Sequence, residues 1–186
     1  MVDITDLPLI IGCLIPCIVI AFIDYTKYII PNKLTYPMII MGLLYAVYTG
    51  NISGALLGGG VCFAAFLIIG LLQGAGAGDI KMVTALGIWF GMEAALTIIF
   101  VASILGVVWG IAKMIRTKGK GEFLAWTKNL IGGLALTLGG AKGALNLPKL
   151  PEDDDAPAPE TAIPFGAFLS VAAILLWVGA KGSWLN

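Results

Sequence analysis

The sequence predicts an all-α integral membrane protein, a bundle of about six transmembrane helices, on three observations. Hydrophobic residues fill 59% of the 186 positions and charged residues only 12%, whereas an ordinary soluble domain carries about 25% charged residues. So little polar surface cannot clothe a soluble globule. The apolar residues also fall into six runs parted by turn-forming or charged residues, as spans parted by loops would. Glycine, at 25 residues, is about twice as frequent as usual, which in a bilayer favours close helix packing.

The runs lie at about 7–23, 34–49, 54–73, 80–91, 92–115 and 162–180. The first follows Asp3 and Asp6 with no Lys or Arg before it. It therefore reads as a retained span that starts outside, not as a cleaved signal. Gly50-Asn51-Ile52-Ser53 makes a turn between the second and third runs. Gly54 with Gly58, and Gly106 with Gly110, have the small-x-x-x-small spacing of tight helix contacts. The run 80–91 is short, about 18 Å against a hydrocarbon core of about 30 Å. Joining it to 92–115 would give one long helix, and the charges argue against that. With six spans and the N-terminus outside, the ten basic residues from Lys27 to Lys149 all face the cytoplasm and only Lys181 lies outside. The positive-inside rule thus favours an outer turn at Gly91-Met92-Glu93. Residues 1–186 form a single membrane-embedded unit with a cytoplasmic loop at about 116–161. In that loop Phe123, Trp126, Leu130 and Leu134 recur at helical spacing, like an interfacial helix. Segment 129–147 reads as a surface or re-entrant stretch in preference to a seventh span. Pro151 to Glu160 reads as a solvated acidic linker.

Composition also excludes function classes. Eleven basic residues balance eleven acidic ones, so no nucleic-acid partner is expected. With no His in the chain, His-ligated metals and nucleophile–His pairs are excluded. Cys13, Cys17 and Cys62 sit in apolar runs without a C-x-x-C pair, as packing residues do. Neither a metal nor a cofactor is expected.

Two carboxylates remain to be explained. Asp24 ends the first run and Asp79 opens the fourth, in Gly76-Ala77-Gly78-Asp79-Ile80-Lys81. Between them the chain crosses the bilayer out and back, so parity puts both on the cytoplasmic face. Two neighbouring carboxyl groups cannot both ionise cheaply and hold a proton between them. One then activates water as a base while the other polarises an amide carbonyl, which is aspartic-protease chemistry. Gly76 and Gly78 leave room beside Asp79 for an extended peptide to approach. Two other readings use the same residues: helix caps, which need no function, and the proton or cation relay of an ion-coupled transporter. A transporter is expected to carry its ionisable groups near mid-membrane and often in repeated halves. Here both Asp residues lie toward one face, without an internal repeat.

At these residues the chain resembles the type IV prepilin peptidases, G-x-G-D aspartic proteases of the membrane. Three motifs match in order: Asp24 with Ile30-Pro31-Asn32-Lys33-Leu34-Thr35, then Gly76-Ala77-Gly78-Asp79-Ile80-Lys81-Met82, then Ile163-Pro164-Phe165-Gly166-Ala167-Phe168-Leu169. Ala167 stands where the family's last motif usually has a second Pro. The resemblance implies that Asp24 and Asp79 are the catalytic pair of a plasma (inner) membrane endopeptidase. It further implies that the substrate is a prepilin-like protein whose short basic leader is cut on the cytoplasmic side. Under it, Lys81 would hold a carboxylate or the substrate backbone, or simply snorkel to head groups. The family's large members carry a zinc-binding insert with paired C-x-x-C motifs and also N-methylate the new end. Here only Tyr25 to Lys33 separates Asp24 from the second run, so the chain resembles a short form and no methyltransferase activity is expected. Signal-peptide-peptidase-like proteases share G-x-G-D but typically have Tyr before the first Asp, whereas Ile23 stands there.

Overall fold

The structure, a computed structural model, describes residues 6–73, 76–138 and 163–182. All regular structure among them is helical: α1 (Leu7–Lys27), α2 (Asn32–Tyr48), α3 (Ile52–Gln73), α4 (Ala77–Leu138) and α5 (Phe165–Gly182). Three stretches are long and apolar enough to cross a membrane, namely Leu7–Lys27, Ile52–Leu71 and Ala77–Lys113. Within α1, Ile10–Leu14 is a π-helical turn. It lies just before Pro16, which has no N–H to return to Gly12, so the hydrogen-bond ladder widens there.

The third of these stretches does not run straight. Gly91 has φ 77, a left-handed value in the middle of a helical run. Gly78 packs on Ile30, Ile30 on Gly166, and the neighbouring Phe165 and Phe168 on Gly106. A straight helix would hold Gly78 and Gly106 about 42 Å apart, well beyond what this short relay of side chains can bridge. The chain therefore turns back at Gly91, where the charge pattern predicts an outer turn. Residues 77–90 form a first arm of about 21 Å and residues 92–113 a second of about 33 Å.

The helix ends follow from local chemistry. After α2, Gly50 adopts φ 72, the Asn51 N–H donates to the Ala46 carbonyl at 2.9 Å, and the Gly50 N–H donates to Val47. That is a Schellman ending, and it makes the expected turn. α4 continues helically to Leu138, through the first half of the stretch expected to be a loop. The rest of that loop, including the acidic Pro151–Glu160 run and residues 139–147 of the 129–147 segment, lies outside the described residues.

Packing is inside-out compared with a soluble bundle. On α1 the inner stripe is Cys13, Cys17, Ile20 and Asp24, at helical spacing, while Ile11, Ile15, Ile18, Phe22 and Tyr25 face outward. Phe22 is 73% exposed and Phe100 67%, burial that only lipid would supply. Small residues make the contacts inside. Gly58 of α3 lies against Gly87 of α4 backbone to backbone, and Gly59 against Ile88. Trp89 ties α4 to two other helices. A Cβ at Gly12 of α1 would lie 2.5 Å from its ring, and its Nε1 donates to the Met38 carbonyl of α2 at 2.9 Å. The three cysteines are free and buried, in keeping with a packing role.

Candidate active site

Asp24 reaches the interior because it continues the inner stripe of α1. It lies one turn before the end of that helix, where Tyr28 takes a left-handed conformation (φ 56) and its N–H closes on the Asp24 carbonyl at 2.8 Å. The side chain is 4% exposed. A carboxylate buried in an apolar bundle needs a donor, and α5 supplies one. The Ala167 N–H donates to Asp24 Oδ2 at 2.9 Å, and the adjacent Gly166 packs beside the same oxygen, 3.1 Å from where its Cβ would stand. The Ala167 amide belongs to the first helical turn, where N–H groups have no intrahelical acceptor and the helix dipole is positive.

Asp79 sits in the first turn of α4 and is partly buried. The N–H of Asp79 donates to the Gly76 carbonyl at 3.0 Å, and its carboxylate lies back over Gly76, with Oδ2 3.2 Å from where a Cβ on that residue would stand. The acid stands three residues after the residue that precedes the helix, the position of the acid in a capping box, although Gly76 has no side chain to complete one. The capping reading of Asp79 is thus part of its geometry. The same geometry aims the carboxylate back over the start of the helix, toward Asp24, whose charge acts on it.

Ile30, in the link between α1 and α2, is the wedge between the two acid-bearing elements. A Cβ at Gly78 would lie 2.9 Å from Ile30 Cβ, and one at Gly166 would lie 2.5 Å from Ile30 Cδ1 and 3.1 Å from Asp24 Oδ2. Gly78 therefore makes room for Ile30, where the sequence pointed to room for a peptide. Among the described residues, a Cβ at Gly76 would meet only Asp79 Oδ2, at 3.2 Å. Lys81 has partners that the sequence did not indicate. Its Nζ donates to Asn32 Oδ1 at 2.7 Å and lies 5.2 Å from the Tyr36 ring. This bond joins the second motif to the first and fixes the start of α2 against α4.

Sequence reasoning missed Ile30 as a wedge and the Ala167 amide as a donor. The second was within reach, since Pro164 marks the start of a helix, and free amides at such a start are a seat for an anion. Two carboxyl groups held near each other can act as base and acid on one water molecule.

A family model described as the type IV leader peptidase family matches residues 11–111, a stretch that contains Asp24, Gly76, Gly78, Asp79 and Lys81. The chain is 31% identical over 107 residues to the prepilin leader peptidase/N-methyltransferase of Aeromonas salmonicida (strain A449), covering 53% of this chain and 37% of that one. It is 32% identical over 130 residues to the protein of the same name from Neisseria gonorrhoeae, covering 65% and 42%. With that of Myxococcus xanthus (strain DK1622) it shares 27% over 201 residues, covering 90% and 59%. The chain thus spans only about two fifths of the length of the first two relatives. No solved structure matches it. The matched stretch takes in more than half of the 186 residues together with both buried-end carboxylates, and the chain belongs to the type IV leader peptidase family.

Proposed function

We propose that the chain is a membrane-embedded aspartic endopeptidase that removes the short basic leader of a prepilin-like protein. The first half of the relatives' name describes the chemistry to which this site is suited. The observation that carries the reading is the convergence of two acid-bearing helix ends on Ile30 at one end of an apolar bundle, with Asp24 accepting from the Ala167 N–H and Asp79 next to Gly78. In the reaction, one carboxylate takes a proton from water as the oxygen bonds to the scissile carbonyl carbon. The other carboxyl group gives its proton to the carbonyl oxygen. Collapse of this intermediate breaks the C–N bond, and the leaving nitrogen takes up a proton from the pair. The leader, a basic segment, approaches the acidic end of the bundle, and its scissile stretch unwinds beside Gly76, which carries no side chain.

The reading includes six crossings with the N-terminus outside and the carboxylates at the cytoplasmic face. The reversal at Gly91 supports an even number of crossings, and so does the ion pair between Asp6 before α1 and Lys181 at the end of α5, at 2.6 Å.

Co-expression with a leader-bearing prepilin, read as a gel shift, tests the proposal. Asp24→Asn and Asp79→Asn should each abolish leader removal while the variant still accumulates in the membrane. Processing at the wild-type rate by either one would remove it from the catalytic pair.

A further inference from the structure

The second arm of α4 carries an exposed stripe at four-residue spacing: Ile104, Val108, Ala112 and Arg116. From Ile104 to Arg116 it rises about 18 Å, close to the depth of one leaflet, half of a hydrocarbon core of about 30 Å. The stripe is apolar as far as Ala112 and ends in a cation. At the small Ala112 side chain the surface dips into a cavity of 140 Å³, whose walls among the described residues are Trp109, Ala112, Lys113 and Arg116. The lining thus holds two cations, one indole and no acid. It is smaller than a pocket for a drug-sized molecule, about 300 Å³ or more, and its charge repels a basic leader. Trp109 adds a second observation. Its ring is held edge-on to Tyr25, with centroids 5.8 Å apart, and tilted against Phe168 at 6.2 Å. Its Nε1–H is buried and has no acceptor among the described residues, and a buried donor calls for one.

We propose that this cavity seats the phosphate of an anionic phospholipid headgroup, with the Trp109 indole N–H and the Arg116 guanidinium donating to its oxygens and an acyl chain lying along Val108 and Ile104. A basic pocket at the end of a membrane-spanning helix is the chemistry that such headgroups recognise, and a guanidinium fork matches two phosphate oxygens at once. Lys113 adds positive charge from the side: its Nζ lies 3.4 Å from the Tyr28 hydroxyl and 5.1 Å from that ring. The stripe and the cavity together favour a lipid over a free anion, since only a lipid covers both. The proposal stands apart from the peptidase reading and uses neither carboxylate.

Melting of the full chain, purified in dodecyl maltoside, tests this with dioleoylphosphatidylglycerol, dioleoylphosphatidylcholine or sodium phosphate added. Phosphatidylglycerol should raise the melting temperature to saturation. Phosphatidylcholine, neutral overall, and phosphate, which has no acyl chain, should raise it little. Two variants remove one donor each: Arg116→Gln, and replacement of Trp109 by benzothienylalanine through nonsense suppression, which keeps the fused rings and puts sulfur in place of the N–H. Measured against its own lipid-free melting temperature, each should need about tenfold more phosphatidylglycerol for half-saturation, the worth of a hydrogen bond to a charged group. Lys33→Gln, which removes an equal charge from the exposed start of α2, should leave half-saturation unchanged. If either donor variant responds to phosphatidylglycerol as the wild type does, or phosphatidylcholine serves as well, the proposal is overturned. It is overturned too if Lys33→Gln weakens the response as much as Arg116→Gln, which would mean diffuse attraction to net charge. A shift reproduced by sodium phosphate alone would replace the lipid with a free anion.

Discussion

Ile30 shows how one side chain can set the geometry of two others. It lies between Gly78, next to Asp79, and Gly166, next to the amide that holds Asp24. The added methyl of Gly166→Ala would sit 2.5 Å from Ile30 Cδ1 and 2.9 Å from Cγ1, and Ile30 has little room to retreat because Gly78, where even a Cβ would lie 2.9 Å from Ile30 Cβ, packs behind it. Overpacking of this kind costs about 1–3 kcal/mol, and here it also pushes on Asp24 Oδ2. Gly166→Ala should therefore lower the melting temperature in detergent and slow leader cleavage more than the stability loss accounts for. Gly179→Ala, where an added Cβ meets nothing within 4 Å, should leave cleavage unchanged and stabilise the helix by at most about 1 kcal/mol. Equal effects of the two substitutions would refute the wedge. Ile30 opens the first motif, but the motif does not show what it does, because its role as a wedge depends on contacts with residues 48 and 136 positions away. Asp24 and Asp79 were legible for the opposite reason: a carboxylate at the edge of an apolar run is costly wherever the fold takes it.

Most helix ends were legible to within a few residues, except that α4 runs on to Leu138 where a loop was expected from about 116, but the helix faces were not legible. In water the hydrophobic period identifies the inner face of a helix; in lipid both faces are apolar, and size decides instead. On α1 the cysteines point inward and the large Ile and Phe side chains outward, an order that a hydropathy pattern cannot display. The small-x-x-x-small motifs share this ambiguity. Gly58 makes a backbone contact with Gly87 of α4, whereas Gly54 lies under the side chain of Asn51, the residue just before its helix, and Gly106 meets Phe168 at ordinary distance. One member of each spacing pattern says little without its partner. The Gly58–Gly87 crossing should accordingly be intolerant. A Cβ at Gly87 would meet the Gly58 carbonyl oxygen and lie 2.7 Å from its carbonyl carbon, and backbone cannot step aside as a side chain can. Gly87→Ala and Gly58→Ala should each destabilise by about 3 kcal/mol, the upper end of overpacking costs, in a detergent-melting series. Gly60→Ala, on the open side of the same helix, should fall within about 0.5 kcal/mol of wild type, as surface substitutions do.

At the scale of the whole molecule, the two ends of the bundle differ in chemistry. Asp6 and Lys181 pair at one end. Asp24, eighteen residues along α1, lies about 27 Å away from that end, and Asp79, Lys81 and Lys113 gather near it through Ile30, Asn32 and Tyr28. The Gly91 turn belongs to the first end, where Asn51, Trp89, Met92 and Glu93 line a cavity of 360 Å³. Positive charge gathers at the Asp24 end, from Lys27 and Lys33 to Lys113 and Arg116, and the proposed topology, argued from the positive-inside rule, takes that end as the cytoplasmic one. Substituted-cysteine labelling measures this directly, in a background in which the three buried native cysteines are replaced. On intact spheroplasts a membrane-impermeant maleimide should label Asn51→Cys and Glu93→Cys. Arg116→Cys and Lys27→Cys should react only after permeabilisation. Labelling of Glu93→Cys from the same side as Arg116→Cys would mean that residues 77–113 do not turn back across the bilayer. Asp79 would then stand on the opposite face from the second α4 arm, and the short first arm could no longer account for how its carboxylate comes to lie beside Asp24.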